Sequence, residues 1–78
     1  MAYTLKYTSS RDTWGGAVKS GESFTVDQNT NAPNGRELYN YLKNKLGRTV
    51  PNFSELGGGG LDVGESVNFN EWEIERVK

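Results

Sequence analysis

One amphipathic segment, residues 34–47, carries an aromatic ring, two cations and an amide on its polar face. Its apolar stripe consists of residues at helical spacing, which are Leu38, Tyr41, Leu42 and Leu46. The residues that project away from this stripe are Arg36, Tyr39, Asn40 and Lys43. A ring between two cations can stack on a nucleic-acid base, contact a phosphate or grip an acidic protein surface. This set predicts a partner-binding helix face, with an ordinary solvated face as the alternative.

Three carboxylates alternate near the C-terminus, on the face opposite Trp72 and Ile74. They are Glu71, Glu73 and Glu75. Carboxylates two positions apart on a strand are separated by about 6.5–7 Å, which is close to the phosphate repeat of a nucleic acid. This acidic stripe can engage a basic groove on a partner, or it can be a solvated device that protects a sheet edge.

Trp14 lies in a glycine-ended loop, RDTWGG. An indole in such a loop either folds inward as a lid over one end of the core or stands out as an interface hot spot. We expect the lid, because a chain with so few large apolar residues needs its tryptophans for the core. We keep Trp14 among the candidate contact residues.

The 78-residue chain has neither cysteine nor histidine. Disulfides, thiolate zinc sites and cysteine redox chemistry are therefore excluded, as is the commonest general base. We predict no catalytic residue, no cofactor-binding residue and no metal ligand. An enzyme that uses a pair of carboxylates is kept as a remote alternative.

Four consecutive glycines, residues 57–60, invite comparison with phosphate-binding loops. A P-loop requires a glycine followed by lysine, and the chain has no such pair. A dinucleotide fingerprint opens a helix, whereas these glycines lead toward a predicted strand. The interpretation that remains is a connector, with a loop that orders on partner binding as the alternative.

Local patterns predict the elements that would position these residues. Strict alternation over residues 2–8 predicts a strand with Tyr3, Leu5 and Tyr7 on one face. Residues 17–28 read as a hairpin that turns at Ser20-Gly21. Residues 51–56 read as a short helical turn that buries Phe53 and Leu56.

The amphipathic segment predicts a helix that begins near Asn34, where Glu37 completes a capping pair, and ends at Gly47. At the C-terminus, the apolar residues change from odd positions (Val67, Phe69) to even ones (Trp72, Ile74). A two-residue turn at Asn70-Glu71 restores a single buried face, so this segment predicts a hairpin. A bulge within one longer strand is the alternative.

Residues 20–28 and 63–71 resemble each other, since both contain Gly-Glu-Ser before alternating apolar residues. An internal duplication is one explanation. The other, which we prefer, is that Gly-Glu before alternating apolar residues is a common sequence at the start of a strand.

Together these patterns predict a single α+β domain over residues 1–78. We expect a small antiparallel sheet of about four or five strands packed against one amphipathic helix, or else a small half-open β-barrel with one helix. No apolar run is long enough to span a membrane, and we expect a cytoplasmic protein.

The expected function is a non-enzymatic protein-binding module, with a protein partner. An inhibitor or adaptor encoded by an accessory or phage gene is a special case of this expectation. The alternative is a nucleic-acid-binding domain that uses the basic and aromatic helix face.

Overall fold

The computed structural model describes residues 3–53 and 56–78. Four antiparallel strands form one sheet, in the spatial order β2-β1-β4-β3. The strands are β1 (Tyr3–Ser9), β2 (Ser23–Gln28), β3 (Ser66–Phe69) and β4 (Trp72–Arg76). One helix completes the domain, which confirms the predicted α+β class. The strands β1 and β4 are central, and β2 and β3 lie at the edges.

Strand β1 follows the alternation of its sequence. Leu5 and Tyr7 are fully buried, whereas Lys6 is exposed. The predicted strand over residues 2–8 is thus confirmed from Tyr3 onward, and Ala2 lies outside the described residues. Strand β1 contributes its inward face to the centre of the core because it pairs with β2 on one side and with β4 on the other.

The helix α1 (Gly35–Asn40) begins as its capping pair predicts. The side-chain oxygen of Asn34 accepts a hydrogen bond from the Glu37 backbone N–H at 3.1 Å. This bond satisfies one of the backbone donors that have no partner within the helix. Leu38 points into the core and is fully buried.

The helix continues as a π-helical turn, Tyr41–Lys45, and ends at Gly47, whose φ is 66°. Leu42 is fully buried, but Leu46 is 42% exposed, so the prediction that Leu46 belongs to the apolar stripe is wrong. Each residue of a π turn rotates the chain about the helix axis by a smaller angle than a residue of an α turn does. Leu46 therefore does not lie on the same side of the helix as Leu42. The left-handed φ of Gly47 confirms the predicted C-terminal end.

The predicted hairpin around Ser20-Gly21 is wrong. Val18 instead exchanges two backbone hydrogen bonds with Thr13, at 2.8 and 3.2 Å, across the short 3-10 turn Trp14–Gly16. Strand β2 pairs with β1, so that Phe24 lies opposite Tyr7. The long alternating face of β1 offers β2 a more extensive pairing partner than the short segment around Val18.

The two edge strands begin with the same backbone motif. Gly21 donates to the Ser9 carbonyl at 2.7 Å, and Ser9 donates to the Glu22 carbonyl at 2.9 Å. Gly64 and Glu65 bond in the same way to the last residue of β4, Arg76, at 2.8 and 3.0 Å. In each case two residues of an edge strand oppose one residue of a central strand, which is a β-bulge. The positive φ angles of Gly21 and Gly64, 86° and 89°, suit this geometry. The shared Gly-Glu-Ser sequence therefore corresponds to a shared local structure.

The C-terminal hairpin is confirmed. Phe69 pairs with Trp72 and Val67 pairs with Ile74, with Asn70-Glu71 between them. Trp72 and Ile74 are buried, but Val67 is 39% exposed. Val67 lies on the predicted face, yet the edge position of β3 leaves it partly uncovered.

The described residues after the helix pack on the core through Val50, Phe53, Leu56 and Leu61. Phe53 and Leu56 are buried, as predicted. Residues 51–53 and Leu56 are not helical, so the short helical turn is not observed there, and Ser54 and Glu55 lie outside the described residues.

The two ends of the glycine run are attached to the first residue of the helix and to the loop that precedes it. Before the run, the Leu56 carbonyl accepts from Gly35 at 3.0 Å, and after it Leu61 donates to the Asn31 carbonyl at 2.9 Å. A Cβ at Gly60 would lie 2.8 Å from the Asn31 side-chain oxygen. Glycine is therefore needed at Gly60 for this close approach.

A buried hydrogen-bond network joins β1, β2 and the start of the helix. The Tyr7 hydroxyl donates to the Gln28 side-chain oxygen at 2.7 Å and accepts from the Asn34 backbone N–H at 3.1 Å. The Gln28 amide donates in turn to the carbonyls of Thr30 and Ala32. Burial raises the pKa of Tyr7 to about 12. The network fixes the loop that carries the helix N-cap.

Candidate functional site

A shallow pocket of about 80 Å³ opens at the end of the sheet where the C-terminal hairpin turns. Its walls come from the loop after β1, the segment after the helix and the β3–β4 turn. We call it the aromatic pocket; its lining residues are Trp14, Phe53, Leu56, Phe69, Asn70, Glu71 and Trp72. Four of these residues have aromatic side chains, and Glu71 is the acidic residue among them.

Trp14 lies at the centre of the aromatic contacts. Its ring centroid is 4.6 Å from that of Phe53 and 6.0 Å from that of Trp72. These are ordinary separations for packed aromatic pairs. Phe53 and Trp72 are buried, whereas Trp14 is half-buried. Trp14 therefore covers the end of the core, as the lid interpretation expects, and remains partly exposed beside the pocket.

The backbone around the aromatic pocket is strained. Among the described residues, the non-glycine residues with positive φ are Trp14, at 55°, and Asn70, at 54°. Asparagine tolerates this region, but a residue as bulky as tryptophan adopts it at a cost of about 1–3 kcal/mol. The paired hydrogen bonds between Thr13 and Val18 close the loop that holds Trp14 in this conformation. Such strain is concentrated at functional sites in proteins.

Glu71 lies in the hairpin turn and is held there by its backbone. Its carbonyl accepts from the Ser10 N–H at 2.7 Å and from the Ser10 hydroxyl at 3.0 Å. Its carboxylate is 3.7 Å from the Arg11 guanidinium. The Arg11 side chain is 74% exposed, so this ion pair is long and open to solvent, and its contribution to stability is small.

The acidic stripe is divided in the structure. Glu71 lines the aromatic pocket, but Glu73 and Glu75 lie on the open face of the sheet. There Glu75 pairs across the strands with Lys6, and Glu73 pairs with Thr8. The prediction of a single outward stripe is therefore wrong for Glu71, because the turn residue no longer follows the alternation of β4.

The helix face is divided as well. The Tyr39 ring contacts Phe53 edge to face, with centroids 6.1 Å apart, and the Lys43 ammonium lies 5.7 Å from the Tyr39 ring. Lys43, Tyr39, Phe53 and Trp14 thus form a continuous row that leads to the aromatic pocket. None of the four residues of the set lines this pocket itself. Tyr39 and Lys43 line a groove beside Arg48, Asn40 lines a separate groove beside β2, and Arg36 is exposed on α1.

Phe53 is one of the pocket residues that sequence reasoning missed as contact residues, together with Leu56, Phe69, Asn70 and Trp72. Its apolar character and spacing predicted core burial, which is correct. Nothing in the local sequence indicates that it would bridge Trp14 and Tyr39, which come from two other segments.

A second Arg–Glu pair lies away from the aromatic pocket. The two terminal nitrogens of Arg48 donate to the two carboxylate oxygens of Glu22 at 2.8 and 2.7 Å, and Arg48 also donates to the Ala17 carbonyl. The guanidinium lies 5.2 Å from the centroid of the Phe24 ring. Hydrogen bonds from Arg48 and from the Lys19 backbone lower the pKa of Glu22 to about 2. The same pairing raises the pKa of Arg48.

Residues 3–53 and 56–78 contain no group of three or more acidic side chains placed to hold a metal ion. Within the same ranges, none of the helices combines the length and apolar character needed to cross a bilayer. Comparison with protein-family models, with curated proteins and with solved structures gives no match for this chain.

Proposed function

We propose that this protein is a non-enzymatic protein-binding module and that the aromatic pocket is its contact site. The observation that carries the proposal is the placement of Trp14. This residue is half-buried, has a φ of 55° and packs on two buried rings beside an open pocket. Tryptophan and tyrosine are the residues most enriched at interface hot spots, and Tyr39 lies in the row that leads to the pocket.

The size of the pocket supports a protein partner over a free small molecule. Its volume of about 80 Å³ admits the end of one side chain. Pockets that enclose a drug-sized ligand measure about 300–1,000 Å³. A partner protein that inserts one residue here and covers the rim would reproduce the usual arrangement of a hot spot surrounded by weaker contacts. Under this proposal the protein acts in the cytoplasm as an inhibitor or adaptor.

Nucleic-acid binding by the helix face has less support. Arg48 is engaged by Glu22, and Tyr39 packs against Phe53. The exposed cations on the helical segment, Arg36, Lys43 and Lys45, are few for a phosphate-binding surface.

A peptide-display selection tests the proposal. A random library is selected against the folded protein and, in parallel, against Trp14→Leu and Thr25→Ala variants whose folds are checked by amide NMR spectra. Thr25 is exposed on β2, so Thr25→Ala is the matched surface control.

We expect one peptide family that is enriched by the native protein and by Thr25→Ala but not by Trp14→Leu. Equal enrichment by Trp14→Leu would overturn the assignment of the pocket, and the absence of any enriched family would overturn the binding module itself.

A further inference from the structure

We infer that the aromatic pocket receives a cationic side chain, a lysine or an arginine, from the partner protein. This inference rests on the proposed function and specifies the chemistry of the residue that is inserted. It follows from two features that meet in one pocket, a wall of aromatic rings and a carboxylate at the hairpin turn.

The aromatic wall favours a cation because the face of an aromatic ring carries negative electrostatic potential. Trp14, Phe53, Phe69 and Trp72 all line the pocket. Tryptophan is the best of the aromatic residues in cation–π interactions, and cages of several rings are the usual recognition sites for alkylated ammonium groups. The alkyl part of a lysine or arginine would also cover the apolar surface of these rings.

Glu71 supplies the charge complementarity. Its side chain is 18% exposed, and Glu71 is one of the residues that line the pocket. Its partner within the chain, Arg11, is 3.7 Å away and 74% exposed. Because Arg11 is held so loosely, a cation from another protein can replace it. Arg11 is therefore an internal competitor for the same carboxylate.

The other carboxylates of the hairpin lack this combination. Glu73 and Glu75 lie on the open sheet face, in a groove lined by Lys6, Thr8 and Ser66, with no aromatic ring among the lining residues. Glu73 therefore provides a matched control, since it comes from the same hairpin but faces away from the aromatic pocket.

Intrinsic fluorescence gives a direct readout, because both tryptophans of the chain, Trp14 and Trp72, line the pocket. The probes are the N-acetyl N-methylamides of lysine, trimethyl-lysine, arginine and norleucine. Norleucine keeps a linear alkyl chain and lacks the charge. Each probe is titrated into the native protein and into the Glu71→Gln, Glu73→Gln and Arg11→Gln variants at constant ionic strength.

We expect saturable fluorescence changes with at least one of the cationic probes and at least about threefold weaker binding of norleucine, from the cation–π contribution. Glu71→Gln should weaken the cationic probe by about threefold or more, and Glu73→Gln should leave it unchanged. Arg11→Gln should tighten binding by about twofold, because the competitor is removed. Trimethyl-lysine that binds as well as lysine would indicate ring contacts, and weaker binding would indicate hydrogen bonds to Glu71; both results support a cation.

Norleucine that binds as tightly as the cationic probes, or equal effects of Glu71→Gln and Glu73→Gln, would overturn the inference. No saturable response to any probe would overturn it as well. The peptide selection separates these failures from failure of the proposed function. A selected family with an invariant apolar residue would keep the binding module and reject the cation, whereas absence of any family would reject the module itself.

Discussion

The molecule contains two Arg–Glu pairs that differ in almost every physical respect. Arg48 and Glu22 form two charge-assisted hydrogen bonds of 2.7 and 2.8 Å, and both side chains are about two-thirds buried, with 29% and 32% exposed. Arg11 and Glu71 approach only to 3.7 Å, and Arg11 is 74% exposed. The first pair attaches the end of the helix to the loop before β2, whereas the second lies at the rim of the aromatic pocket.

This difference separates a structural carboxylate from an accessible one. Glu22 is satisfied by Arg48 and by the Lys19 backbone N–H, so exchanging its partner would break several bonds at once. Glu71 would exchange its partner at little cost, since exposed ion pairs contribute about 0–1 kcal/mol. The stability of the fold and its proposed binding chemistry thus depend on different acidic residues.

The largest expected effect is on the free energy of unfolding, when Arg48 and Arg11 are replaced in two separate variants. Arg48→Gln removes the paired hydrogen bonds, the bond to Ala17 and the contact with the Phe24 ring. We expect the free energy of unfolding to fall by about 2–3 kcal/mol. Arg11→Gln should change it by no more than about 0.5 kcal/mol. Urea denaturation measures both, and equal losses would show that the two pairs are equivalent.

The next comparison uses the two bulges. Glu22 and Glu65 accept the same local hydrogen bond, from Lys19 and Asp62 respectively, at 2.8 and 2.7 Å. Only Glu22 also has an arginine partner among the described residues. We expect Glu22→Gln to destabilise by about 1–2 kcal/mol and Glu65→Gln by about 0.5 kcal/mol or less at neutral pH. A larger loss for Glu65→Gln would contradict the importance given to Arg48.

The lowered pKa of Glu22 predicts how the free energy of unfolding changes as the solution is acidified. The pKa of the Glu22 carboxyl is about 2 in the folded protein, below the usual 4.5. This carboxyl therefore binds a proton more readily in the unfolded chain than in the folded one. The stabilisation is complete above about pH 4.5 and is lost as the pH falls toward 2. The difference in unfolding free energy between the native protein and Glu22→Gln should shrink over this interval. A difference that stays constant from pH 7 to pH 2 would refute the shift.

The smallest effect concerns salt. A double-mutant cycle on Arg11 and Glu71 should give a coupling energy of about 0.5 kcal/mol or less, which disappears in 1 M NaCl because exposed charges are screened. The coupling between Arg48 and Glu22 should persist at that salt concentration, because its geometry is bidentate and partly buried. Equal salt sensitivity of the two couplings would remove the distinction.

The sequence predicted the parts of the fold that local patterns determine. The alternation of β1, the cap at Asn34 and the turn at Asn70-Glu71 are all set by neighbouring residues, and all three are confirmed. The pairing of β2 was mispredicted because its partner, β1, is distant in sequence, while a nearer segment had a suitable pattern. The exposure of Leu46 depends on a π turn that helical periodicity does not reveal.

The candidate site was less predictable than the fold. Trp14 and Glu71 were named from their local context, but the pocket also needs Phe53 and Trp72, whose apolar character indicates only burial. The four residues come from three separate segments that meet through tertiary packing. Charge patterning likewise placed Arg48 at the helix end without indicating Glu22, which lies 26 positions away.

The most direct test of the account is an NMR titration with tetramethylammonium chloride, with sodium chloride at equal ionic strength as the reference. We expect tetramethylammonium to shift the indole signals of Trp14 and Trp72 and the amide signal of Glu71, and to leave the amide signals of Glu22 and Glu73 unchanged. Shifts of equal size at Glu22 or Glu73, or no difference from sodium chloride at the indoles, would contradict a cation site in the aromatic pocket.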